Sequence, residues 1–132
     1  MRVLIDLNVI LDVLMDRAPF STIAKDVLDD GRPTYFVSSH MVTTAAYLMG
    51  KISRKAQEGT LDFILENFTV VPCDGALLAA ARALGFADYE DAVVAMAAKK
   101  AKCAYIVTRN VRDFQTAPVP AVTPTEFKEL LP

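Results

Sequence analysis

The sequence is sparing with several residue types at once. It has two cysteines, one histidine, five glycines and no excess of positive charge. Two cysteines, Cys73 and Cys103, make neither a disulfide framework nor a zinc site. Both lie in strand-like apolar settings and are expected to be reduced core residues. Five glycines beside seven prolines exclude a collagen-like or low-complexity chain, and 53% hydrophobic residues exclude disorder. No apolar run approaches the ~20 residues that a bilayer requires. No signal peptide is expected either, because Asp6 and Asp12 interrupt the first apolar stretch and no basic segment precedes it. The compartment that fits these features is the cytoplasm. Fourteen basic against sixteen acidic side chains leave a net charge of −2. That balance excludes a broadly basic nucleic-acid clamp, so a bound nucleic acid would need a local patch or metal ions.

The chain has 132 residues, which fits one domain spanning 1–132, since domains cluster near ~100–150 residues. Residues 2–5 form a short apolar run that ends at Asp6. Val9, Ile10, Val13 and Leu14 then recur at helical spacing. Pro19 ends that pattern, and 21–30 predicts a second helix stopped by Gly31. Thr34 to Val37 is a second strand, and Ser38 or Ser39 is placed to cap a helix running to about Lys51. A helix over 55–67 and a strand over 69–72 follow. Asp74 caps a helix ending at Gly85, and Asp88 opens an alanine-rich helix to about Lys102. Ala104 to Val107 is a fourth strand, followed by the polar turn Thr108-Arg109-Asn110. Ala121-Val122 suggests a short last strand. Thr123-Pro124-Thr125-Glu126 is a capping box for the final helix.

Strands alternate with helices, and the strands are uninterrupted apolar runs. Both sheet faces are therefore expected to be covered, which predicts a three-layer α/β/α sandwich with a central, mostly parallel sheet. Ligands collect at the carboxyl ends of such strands, where the strand order reverses. Acidic residues stand at those positions: Asp6 after the first strand, Asp88 and Asp91 at a helix start, and Asp113 beyond the fourth strand. Clustered carboxylates repel unless a cation neutralises them, and oxygen ligands suit a hard ion such as Mg²⁺ or Mn²⁺. Each residue also has a plainer role open to it. Asp88 can be a helix cap, Asp91 can serve the helix dipole, and Asp113 can shape a turn. Asn8 can cap the first helix or hold Asp6. Arg109 and Arg112 can contact phosphates or simply offset acidic charge. Phe20 and Tyr47 can stack on bases, although core packing is the expected use. His40 is expected to be a packed or solvent-facing helical histidine.

Four segments, the last of them the ending Pro118-Val119-Pro120-Ala121-Val122-Thr123-Pro124-Thr125-Glu126-Phe127, resemble PIN-domain ribonucleases, including the VapC-like toxins of bacterial toxin–antitoxin pairs. The run Val3-Leu4-Ile5-Asp6-Leu7-Asn8-Val9 is similar to their opening strand and helix. Phe86-Ala87-Asp88-Tyr89-Glu90-Asp91-Ala92 is similar to a later acidic helix start. Thr108-Arg109-Asn110-Val111-Arg112-Asp113-Phe114 is similar to their last acidic turn. The resemblance covers essentially the whole chain. It implies a metal-dependent endoribonuclease, commonly a homodimer, held inactive by an antitoxin protein, with RNA as substrate and Mg²⁺ or Mn²⁺ as cofactor. Carried over by position, Asp6, Asp91 and Asp113 match the acidic catalytic and metal ligands. Asn8 and Thr108 match supporting polar positions. Asn110 stands where many relatives carry an acid, and Asp88 is an accessory candidate. Thr44 departs from the pattern, falling about where these nucleases place a glutamate on the helix after the second strand. An uncharged hydroxyl there should lower metal affinity, and it leaves room for a non-cleaving RNA- or protein-binding member.

Overall fold

The structure, a computed structural model, describes residues 1–132. Its centre is β1 (Arg2–Ile5), whose Val3, Leu4 and Ile5 are each fully buried. A strand with no polar side chain at these positions satisfies both faces only when helices cover each of them. Burying each such side chain contributes roughly 1.5–3 kcal/mol, so this strand anchors the fold. Four further strands complete the sheet: β2 (Thr34–Ser38), β3 (Thr69–Val71), β4 (Tyr105–Val107) and β5 (Ala121–Val122). Their order is β3-β2-β1-β4-β5. Every pairing is parallel, with Leu4 opposite both Phe36 and Ile106. The expected mostly parallel sheet is thus wholly parallel.

Seven α-helices connect the strands: α1 (Leu7–Leu14), α2 (Ser21–Asp29), α3 (Ser39–Gly50), α4 (Arg54–Asn67), α5 (Gly75–Ala83), α6 (Tyr89–Lys100) and α7 (Pro124–Leu130). The helix with the most buried residues is α6, where Ala92, Val93, Val94, Ala95, Ala97 and Ala98 are all buried. Its small side chains let the helix lie close against β1, β2 and β4. It stops two residues before the expected Lys102. Lys102 itself takes a left-handed backbone (φ 56°), with Lys102 N–H donating to Lys99 and Cys103 N–H to Ala98. These paired bonds close a helix end even without glycine. Gly31 is not in the left-handed region; there the turn is made by Asp30, whose carboxylate accepts from Arg32 N–H.

Three local expectations change in the fold. Ser38 does occupy the position before α3, but its hydroxyl engages His40 rather than the helix backbone, and Ser39 accepts from Cys73 N–H. Tyr47, expected in the core, is 64% exposed, and Phe20 is 39% exposed. The Asn110-to-Asp113 segment is also more regular than a plain turn, because Val111–Phe114 coil into a short 3-10 helix that buries Phe114. No helix is long and apolar enough to cross a membrane.

Candidate active site

The chain runs β1 to β2 to β3 toward one edge of the sheet and then returns to add β4 and β5 on the other. The reversal falls between β1 and β4, and this crevice is where parallel sheets gather ligands. Asp6 leaves β1 there and Thr108 leaves β4 there. Asp6 is 7% exposed. It caps α1 by accepting from Leu7 N–H at 2.9 Å. Its Oδ2 accepts from the Thr108 hydroxyl at 2.8 Å and from Asn8 Nδ2 at 3.2 Å. Thr108 is itself fully buried, and its hydroxyl also accepts from Asn110 N–H at 3.0 Å. Of the two roles open to Asn8, the structure shows the second: its amide holds Asp6, and the cap of α1 is Asp6 itself.

Asp88 caps α6, accepting from Glu90 N–H at 2.9 Å. Asp91 lies in the first turn of the same helix and is half-buried. Asp113 sits on the 3-10 helix after β4. Asp88, Asp91 and Asp113 line one open cleft of about 480 Å³, together with Arg112. Burial holds the Asp6 carboxyl above its usual range, against the pull of the Thr108 and Leu7 bonds, and Asp88 and Asp113 add repulsion. Burial likewise pushes Asp91 up to about 7, reinforced by Asp88, Asp6, Asp113 and Glu90. Folding thus brings Asp6, Asp88, Asp91 and Asp113 into one electrostatic neighbourhood from three distant stretches of sequence.

None of these four carboxylates is in a salt bridge. The contrast with Asp12 is instructive. Asp12, 1% exposed on α1, is held by Arg17 at 2.9 Å and by Arg109 at 2.7 Å. Asp12 bears directly on the site, because Arg17 also donates to the Asn8 carbonyl and Arg109 N–H donates to the Asn8 side chain. Nothing in the sequence reading marked this role. The available signal was a charged residue four positions after Asn8, on the same face of an otherwise apolar helix.

Hard oxygen donors without cationic partners are the donor set expected of a Mg²⁺ or Mn²⁺ site. No three His, Cys, Asp or Glu side chains stand close enough together to hold one metal ion among them. An ion of this kind keeps several of its waters, through which carboxylates too far apart for direct contact still reach it, so an open arrangement fits it. Arg112 is exposed at the cleft, whereas the Arg109 guanidinium is engaged by Asp12 and lies 4.0 Å over the Phe20 ring. Thr44 is half-buried on α3, and its hydroxyl donates to the His40 carbonyl at 3.0 Å. The His40 ring meets the Ser38 hydroxyl at 2.8 Å, and burial lowers its basicity.

Comparison with known proteins identifies the fold and the family. The model of the PIN domain family matches residues 2–112. "Ribonuclease VapC1" of Aquifex aeolicus is 27% identical over 136 residues, covering 97% of this chain and 94% of that protein. Among solved structures, VapBC-1 from nontypeable Haemophilus influenzae aligns with a TM-score of 0.73 at 16% identity, over 95% of this chain and 99% of that one. A toxin–antitoxin complex from Klebsiella pneumoniae aligns with a TM-score of 0.72 at 21% identity, over 92% and 97%. VapBC2 from Rickettsia felis, bound to a DNA fragment from its promoter, aligns with a TM-score of 0.71 at 14% identity, over 93% and 98%. At these identities the structures speak for the fold, an α/β/α sandwich shared along nearly the whole chain.

Proposed function

This chain belongs to the PIN domain family, and from that premise we propose that it is a divalent-metal-dependent endoribonuclease, the toxin of a toxin–antitoxin pair. The observation that carries the reading is the group of four carboxylates, Asp6, Asp88, Asp91 and Asp113, without an ion-pair partner at the β1/β4 crevice. Repulsion among them costs stability unless a cation is bound, whereas the neighbouring Asp12 is neutralised by two arginines.

In this reading Asp6, Asp91 and Asp113 hold Mg²⁺ or Mn²⁺, with Asp88 as an accessory carboxylate. Bound there, such an ion supplies an activated water and neutralises charge building on the scissile phosphate. Asn8 and Thr108 orient Asp6 through the two hydrogen bonds to its Oδ2. Asn110, whose backbone N–H donates to the Thr108 hydroxyl, supports the same group from the turn. Arg112, exposed at the cleft, meets RNA phosphates. No protein nucleophile is required. Residues 1–132 act as one domain in the cytoplasm, as a homodimer that a cognate antitoxin protein silences.

The test is cleavage of a mixed structured-RNA pool by the purified chain with Mn²⁺, with Mg²⁺ and with EDTA, beside Asp91→Asn. Metal-dependent cleavage absent from the folded Asp91→Asn protein is expected. Equal turnover by that variant, or undiminished cleavage in EDTA, would overturn the assignment.

A second reading draws on Thr44. Its hydroxyl bonds back to its own helix, so α3 offers the site no fourth strong ligand. A chain that binds RNA or protein without cleaving it would show no hydrolysis under any of these conditions.

A further inference from the structure

A second cleft, of about 370 Å³, lies on the other side of the 108–113 turn. Its walls include Phe20 just before α2 and Ile23 within it, Arg109 and Asn110 from the turn, and Thr125 from α7. We propose that this cleft is a nucleotide subsite, where a base of single-stranded RNA beside the scissile phosphate stacks on the Arg109–Phe20 pair and meets Asn110 and Thr125 with its polar edge. The inference rests on the ribonuclease reading for the identity of its ligand.

Three observations support it. The first is the stacked pair itself. The Arg109 guanidinium lies 4.0 Å over the Phe20 ring, and Phe20 remains 39% exposed. Nucleobases stack on aromatic rings and on guanidinium planes alike. The second is free hydrogen-bonding capacity. Asp12 engages Arg109 Nε and Nη2. Arg109 Nη1, the Asn110 side-chain amide and the Thr125 hydroxyl make no hydrogen bond within the protein, yet these residues face one cleft. The third is charge. The lining of this cleft holds one carboxylate, Asp12, against one guanidinium, Arg109, so it is balanced rather than acidic, and Arg17 on Asp12 adds a second cation beside it. A buried carboxylate needs a partner, but one arginine would serve. The cleft across the turn is acidic by contrast, with Asp88, Asp91 and Asp113 against Arg112.

The two clefts share a wall. Asn110 lines one and Asp113 the other, and Asp113 N–H donates to the Asn110 carbonyl at 3.0 Å. A strand whose phosphate lies in the acidic cleft can therefore place an adjacent base over Phe20. Sequence tolerance is expected, because every base has a face to stack.

The experiment uses the full chain in EDTA, so that no result depends on cleavage. Single-stranded RNA oligomers carrying 5-iodouridine at successive positions are irradiated, and the crosslinked peptides are mapped. Crosslinking at Phe20 from one position of the oligomer is expected. In parallel, Phe20→Leu, which keeps an apolar side chain, should weaken oligomer binding about tenfold, and Phe20→Trp should restore it. Thermal melting establishes that both variants fold. Crosslinks confined to residues outside this cleft, unchanged affinity in folded Phe20→Leu, or no oligomer binding at all would each overturn the subsite. A chain that crosslinks through Phe20 but hydrolyses nothing with Mn²⁺ keeps the subsite and loses the nuclease. One that cleaves with Mn²⁺ while Phe20→Leu binds normally keeps the nuclease and loses the subsite.

Discussion

Thr108 donates its hydroxyl proton to Asp6 Oδ2 at 2.8 Å across 102 residues of sequence. This bond joins the ends of β1 and β4 where the strand order reverses. It also points one lone-pair direction of a buried carboxylate, leaving less freedom for the rest of the group. Thr108→Val keeps the shape and removes the hydroxyl. It leaves Asn110 N–H without its acceptor and Asp6 without one donor. A loss of about 1–3 kcal/mol in urea unfolding is expected, with cleavage or metal affinity down about 10–100-fold. Wild-type activity in the folded variant would show that Thr108 does not position Asp6.

The metal-free chain should lose stability as the pH rises. Asp91 is raised from 3.8 to about 7 in the fold. An acid raised by folding stabilises fully while protonated in both states, below about pH 3.8. That contribution is lost as the pH climbs through about 7. Asp6 is shifted in the same direction. In EDTA, the melting temperature should therefore fall between pH 5 and pH 8, and less so in Asp91→Asn. An identical slope in both proteins would remove Asp91 as the cause.

Asp12 and Arg109 should behave as a structural pair. Asp12→Asn removes the charge that holds Arg17 and Arg109 against α1. Breaking a buried pair costs ~3–5 kcal/mol, and partial exposure of both guanidiniums puts the expected loss near the lower end, about 3 kcal/mol. Denaturant unfolding measures it. A change below about 0.5 kcal/mol would mean that solvent already satisfies both arginines.

Thr44→Glu should tighten Mn²⁺ binding and raise cleavage, by adding a charged oxygen ligand to a site built from carboxylates. Titration calorimetry with Mn²⁺ reads the first effect without reference to activity. Weaker binding in a folded Thr44→Glu protein would place the α3 position outside the metal's reach.

The sequence by itself determined the alternation of strands and helices, because apolar runs and helical periodicity are local signals. It placed Asp6, Asp88, Asp91 and Asp113 at element ends for the same reason, since a carboxylate at a strand end or in a helix first turn is visible in a few neighbouring residues. Tertiary structure decided what those groups face. Whether Asp91 stands beside Asp6 depends on the order β3-β2-β1-β4-β5 and on α6 packing over β1. Neither is encoded within any short window. The fate of Arg109 was decided in the same way. Its sequence neighbours are polar and acidic, and they left phosphate contact and charge compensation equally open. Only the approach of the 108–113 turn to α1 and α2 seats its guanidinium between Asp12 and Phe20. A charge finds its partner through space, and partners 97 residues apart in the chain become neighbours only once the sheet has formed.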